Sequence, residues 1–120
     1  MTVPQDAPAL AGLADSHCHL NAAAFDGDRA EVIARAQAVG VETMIVVGLD
    51  PESSERAMDL TRLHGSAGLA ATAGLHPHEA GRFGGAIRES LERLCAREEC
   101  CAVGETGLDW FKDWAPRDDQ

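Results

Sequence analysis

The feature that most constrains this chain is a regular alternation of short apolar runs with longer amphipathic ones. Segments of β type begin at Leu13, Val41, Leu69 and Cys101, about every 30 residues, and helical patterns separate them. The first strand runs from Leu13-Ala14-Asp15 into Ser16-His17-Cys18-His19. Asp28 with Glu31 three residues later predicts a capping box, and a helix to about Val39 with Val32, Ala36 and Val39 on one face. Gly40 is its stop. Residues 41–47 are nearly continuously apolar, which predicts a strand covered on both faces. Asp50 caps a second helix, with Pro51 at its first position, where a missing N–H costs nothing. That helix reaches about His64 and stops at Gly65. Residues 69–75 form a light, Ala-rich third strand, 86–97 a third helix with Ile87, Leu91, Leu94 and Cys95 on one face, and 101–105 a fourth strand. Residues 106–120 read as an acidic loop broken by Pro116.

The order β-α-β-α-β-α-β is that of parallel strands joined by right-handed helical crossovers. Such a chain closes either as an open doubly wound sheet or as a barrel. A (β/α)8 barrel needs roughly 200 residues or more, and 120 residues supply about half of one. The expectation is an α/β fold comprising about the first four strands of a TIM-type (β/α)8 barrel, truncated, in one unit over 1–120 with 1–12 as a flexible leader.

In parallel α/β folds ligands bind beyond the carboxyl ends of the strands. His17 and His19 end the first strand, His76 and His78 follow the third, and Glu105 ends the fourth, so four of the five histidines share one rim. On extended backbone, residues i and i+2 project to the same side about 6.5–7 Å apart, so His17 and His19 can converge on one cation while Cys18 points into packing. The alternative is a pair of histidines that only hydrogen-bond at a strand end. Glu105, between Gly104 and Thr106-Gly107, can approach a cation because its neighbours are small; a rim glutamate can equally serve as an ion-pair partner. His76 lies on a turn stiffened by Pro77, either aimed at a ligand or bonded to backbone. His64 reads as a helix C-terminal residue favoured by the dipole.

The formal net charge of −10 argues against a general nucleic-acid coating, since affinity for polyphosphate is built from Lys and Arg. A nuclease whose phosphate contacts run through cations is not excluded. No stretch approaches the ~20 apolar residues of a membrane span, and the N-terminus lacks the pattern of a signal peptide, so the expected compartment is the cytoplasm. Cys18, Cys95, Cys100 and Cys101 form no CxxC pair and read as reduced thiols.

Three segments together, Asp15-Ser16-His17-Cys18-His19-Leu20, Gly74-Leu75-His76-Pro77-His78 and Gly104-Glu105-Thr106-Gly107-Leu108-Asp109, resemble the TatD family of metal-dependent hydrolases, from about Leu13 to Gln120. The resemblance implies a barrel binding two divalent cations, Mg2+ or Zn2+. By position, His17 and His19 would ligate one metal, Glu105 would bridge both and act catalytically, His76 would lie beside the substrate phosphate, and Asp109 would brace the loop. Family members are mostly described as DNases, which makes DNA the expected substrate. Trp110 stands where the family commonly has Tyr.

The family pattern continues with two further histidines and an aspartate on later strands, which lie beyond Gln120. The expectation is therefore half a site, with weak metal binding and little turnover by these residues alone. Two rival readings stay open: a non-catalytic half-barrel that needs a partner or further strands, and an amidohydrolase-type enzyme acting on an amide or lactone. The oligomeric state is not set by the sequence.

Overall fold

The computed structural model describes residues 11–120; the expected leader, apart from Ala11 and Gly12, lies outside the described residues. Four strands, β1 (Leu13–Cys18), β2 (Val41–Val46), β3 (Leu69–Ala73) and β4 (Cys100–Val103), alternate with three helices, α1 (Arg29–Ala38), α2 (Pro51–Leu63) and α3 (Gly85–Cys95). The strands form one parallel sheet in the order β1-β2-β3-β4. Short 3-10 turns precede α1 and follow α2 and β3.

Strand order and helix placement decide between the two closures. Met44, Val46, Leu69, Ala71 and Ala73 point to one face of the sheet, because residues two apart in a strand share a face. They meet Ile33 of α1, Ala57, Met58 and Leu60 of α2 and Leu94 of α3 in a single buried cluster. All three helices therefore cover the same face, and the strand order never reverses. A doubly wound sheet has helices on both faces and a reversal point. The arrangement is that of a TIM-type barrel wall, half-built among the described residues.

The other face is open. Thr43 is exposed and Ile45 half-buried, against the expectation that β2 is covered on both sides. Ala14 on β1 and Ala102 on β4, level with Thr43 and Thr72, are exposed too. The apolar run of β2 encodes burial on the inner face of a barrel, where these four strands alone have nothing to pack against.

Two helix starts differ in an instructive way. At α2 the expected cap forms: Asp50 accepts from the Ser53 N–H at 2.7 Å, and Ser53 Oγ accepts from the Asp50 N–H at 3.0 Å. At α1 the expected capping box is absent. The Asp28 side chain caps no N–H and lies 3.6 Å from Arg35 Nη2 instead. Its φ of −145° and ψ of 15° fall outside the extended geometry that aims a cap at the first turn. Ile33 is the buried residue of α1, with Val32 and Ala36 beside it, while Val39 is exposed rather than on the packed face. Gly40 ends the helix with φ of 96°, a conformation other residues rarely adopt. On α3, Leu94 is buried, Leu91 and Cys95 pack against the core, and Ile87 is half-buried, as the spacing implies. Strands β3 and β4 end two residues before the expected bounds, so Gly74-Leu75 and Gly104-Glu105 belong to the rim loops.

Candidate metal centre

The rim brings His17, His19 and Glu105 together: one ligand atom from each lies within 4.8 Å of the others. The Nε2 atoms of His17 and His19 are 3.2 Å apart, with ring planes at 80°. His17 Nε2 is 3.3 Å from Glu105 Oε2. Ligands held at ~2.0–2.1 Å and separated by 90–109° stand about 2.9–3.4 Å from one another. Both separations from His17 fall in that range, so the donor set is one that could hold a divalent cation.

Neighbouring contacts set the orientation of the imidazoles. His19 Nδ1 lies 3.4 Å from the Val47 carbonyl, which favours the tautomer with Nδ1–H donating and leaves the Nε2 lone pair free. The buried Asn21 fixes the same carbonyl, donating from Nδ2 to Val47 O at 3.2 Å and to Ser53 O at 2.8 Å. Asp15 Oδ1 accepts from the His17 N–H at 3.1 Å and steadies the strand end. Cys18 points away, as expected: its thiol donates to Ile45 O at 3.3 Å, and burial raises its pKa.

Glu105 reaches the histidines by an unexpected route. Strand β4 is separated from β2 by β3, yet the Glu105 N–H donates to Gly48 O beyond the end of β2, at 2.8 Å. The chain leaving β4 thus folds over the end of β3. It does so against Gly74, where an added Cβ would collide with the carbonyl of Gly104 and the nitrogen of Glu105. Thr72 ties the crossing from below, donating to Gly104 O at 2.7 Å and accepting from the Gly48 N–H at 3.2 Å. The small neighbour that lets Glu105 approach is therefore Gly74, in the loop after β3, rather than Gly104, whose Cβ would meet nothing.

His76 also comes to this corner. Its Nδ1 accepts from the His78 N–H at 3.1 Å, which puts the ring proton on Nε2, 3.5 Å from Glu105 Oε1. The two carboxylate oxygens of Glu105 thus face different imidazoles. His78, which sequence reasoning left without a role, lies 2.6 Å from Asp109 Oδ2 through Nε2. Asp109 also accepts from the Phe111 N–H at 2.9 Å; that bond and the His78 contact hold its carboxyl below the usual range. Gln120 closes the loop, accepting from the Asp109 N–H at 2.8 Å and donating to Asp109 O at 2.9 Å. Asn21, Thr72, Gln120 and the His78–Asp109 pair were not singled out for these contacts from sequence. Only the regular strand spacing could have flagged Thr72, since it places that residue on the open face beneath the rim.

Comparison with known proteins agrees with this picture. The sequence profile of the family described as TatD related DNase matches residues 14–120. The chain is 38% identical over 101 residues to the 3'-5' ssDNA/RNA exonuclease TatD of Cronobacter turicensis, covering 84% of this chain and 38% of that protein. It is 39% identical over 108 residues to YabD of Bacillus subtilis, an uncharacterized metal-dependent hydrolase, covering 90% and 42%. Among solved structures it resembles YjjV, a TatD homologue from Escherichia coli k12, with a TM-score of 0.73 and 33% identity over 83% of this chain and 39% of that one. The chain thus spans roughly two-fifths of the length of these relatives, with four consecutive parallel strands. With its three rim segments, its barrel wall and its profile match, the chain belongs to the TatD family.

Proposed function

We propose that this chain carries the first part of the active site of a metal-dependent phosphodiesterase acting on DNA. The observation that supports this best is the convergence of His17, His19 and Glu105 at separations suited to one cation. The relatives named as exonucleases and as a metal-dependent hydrolase point to the same chemistry. Divalent cations held there, Mg2+ or Zn2+, would polarise a phosphodiester oxygen and lower the pKa of water beside them.

In this reading His17, His19 and Glu105 would hold one ion, and Glu105 would also help to hold a second. His76 presents its Nε2–H to the phosphate, a role supported by its fixed tautomer. Glu105 would be the catalytic carboxylate, since the ions it helps to hold would be the ones that polarise the phosphodiester. The cytoplasm remains the proposed compartment, supported by four free cysteines. Among the described residues no helix is long and apolar enough to cross a membrane.

A second reading has one observation in its favour. The inner face of the sheet is uncovered, with Ala14 and Ala102 exposed on the edge strands. Under that reading these residues bind a cation but need further strands for turnover. Shortening of a labelled single-stranded DNA oligonucleotide with Mg2+ or Zn2+ separates the possibilities. From residues 1–120 alone the expected result is slow cleavage at most, abolished by chelator and by Glu105→Gln. Cation binding without cleavage favours the half-barrel reading, and hydrolysis of a neutral lactone or amide in preference to DNA would overturn the proposal.

A further inference from the structure

The segment after Asp109 is unlike the rest of the chain. Three of its five aromatic residues, Trp110, Phe111 and Trp114, fall within five consecutive positions, with the only lysine, Lys112, among them. These side chains face solvent: Trp110 is 53% exposed, Phe111 91% and Trp114 67%. Exposed aromatics usually reflect a mobile or poorly packed segment, but this loop is held at both ends by the Asp109–His78 contact and the Gln120 side chain. Cations lie over two of the rings, Arg117 Cζ 4.9 Å from the Trp110 centroid and Lys112 Nζ 4.6 Å from that of Trp114.

The loop is also tied to the metal centre. Trp114 packs edge-on against His78, with centroids 4.4 Å apart; His78 contacts His76 at 4.3 Å, and His76 contacts Glu105. Exposed aromatic rings on a loop held at both ends, one of them packed on the His76–His78 turn beside the proposed phosphodiesterase centre, have a specific chemical use. Unpaired bases stack on such faces whatever their identity, while paired bases offer no free face.

We propose that Trp110, Phe111 and Trp114 form a stacking platform for the unpaired bases of a single-stranded nucleic acid, placing its backbone at the metal centre. This rests on the phosphodiesterase reading above. Asp113, Asp118 and Asp119 lie in the same segment as Lys112 and Arg117, so binding is driven by stacking more than by phosphate neutralisation. With at most those two cations engaged, the slope of log affinity against log salt is no steeper than about −1.4.

Both tryptophans of the chain lie in this loop, so its intrinsic tryptophan emission reports on the loop alone. The test is an emission titration of the 120-residue chain in excess chelator, where no cleavage occurs. The probes are a thymidine oligonucleotide of about ten nucleotides, its abasic counterpart and its duplex. Quenching by the single strand is expected at concentrations at least tenfold below those needed for the abasic strand or the duplex. By anisotropy of a labelled strand, Trp114→Ala weakens binding by roughly tenfold, as for the loss of one stacked base, and Trp114→Phe recovers most of it. Equal affinity for the abasic strand, or unchanged affinity in Trp114→Ala, would overturn the platform. So would emission that depends on protein concentration alone, which would assign the patch to contacts between copies. Because the titration needs no metal, stacking that survives without any metal-dependent cleavage would fault the hydrolase reading and not the platform.

Discussion

His76 and His78 sit two residues apart on one turn, with rings 4.3 Å apart, and each faces a carboxylate. Their surroundings assign them different work. Asp109 is closely held: His78 stands 2.6 Å from Oδ2 and the Phe111 N–H 2.9 Å from Oδ1, and its carboxyl titrates low as a result. Glu105 is not. Its contacts are long, 3.3 Å to His17 and 3.5 Å to His76, and its two oxygens look toward different imidazoles. A carboxylate closely bonded at both oxygens holds structure together, whereas one held in place by its backbone with loosely contacted oxygens is free to take a cation. The same pair of residue types thus yields a latch at one end of the turn and a binding corner at the other.

The largest effect expected from this contrast is on metal affinity. Glu105→Gln removes a charged ligand and should weaken Zn2+ binding by more than about 100-fold, since even outer-shell losses cost 10–100-fold. Asp109→Asn should change it by no more than about threefold and instead loosen the loop, seen as greater accessibility of tryptophan emission to a neutral quencher. Calorimetric titration of both variants checks the pair, and comparable losses of affinity would erase the distinction.

Next in size is a substitution away from every ligand. Gly74→Val places side-chain atoms where Gly104 and Glu105 cross the end of β3. The crossing has to lift, at an overpacking cost of about 1–3 kcal/mol, and Glu105 should leave His17 with roughly tenfold or greater loss of Zn2+ affinity. Gly104→Ala, with no atom within contact of its added Cβ, should retain affinity.

These outcomes bear on how much was legible in the residues alone. Strand spacing and rim histidines were readable because period and position are local properties, and Asp50-Pro51 encodes its helix start through side chains that bond within four residues. The route of Glu105 was not readable. It depends on Thr72 and Gly74, at the end of β3, and on Gly48, beyond the end of β2, and no short sequence window contains them together with Glu105. The α1 capping box failed for a related reason: Asp28 and Glu31 have the right spacing, but the preceding turn sets the Asp28 backbone outside capping geometry. The pairing of His78 with Asp109 spans 31 residues and was likewise invisible, although both residues stood inside segments that mark the family.

The smaller predictions concern pH. Asp109 has a lowered folded pKa, so its contribution to the latch is complete above the ordinary carboxylate value and fades as pH falls through the depressed one. Tryptophan emission should therefore change in acid before the helical signal does, and a simultaneous change would show that the latch is not separate from the fold. Far from the rim, Arg97 holds Glu99 at about 2, so that pair should persist further into acid than an ordinary carboxylate would allow. Being a half-buried pair at the surface, still screened by solvent, it should shift the acid midpoint only slightly in Glu99→Gln.

The central claim is that His17, His19 and Glu105 hold the cation, and X-ray absorption at the zinc edge of the Zn2+-loaded chain tests it most directly. The expected spectrum shows two imidazole nitrogens and oxygen at ~2.0–2.1 Å, with the imidazole signal reduced in His17→Ala. Sulfur scattering at ~2.3 Å would move the site to the cysteines, and an imidazole signal unchanged by His17→Ala would remove it from this rim, either result contradicting the account.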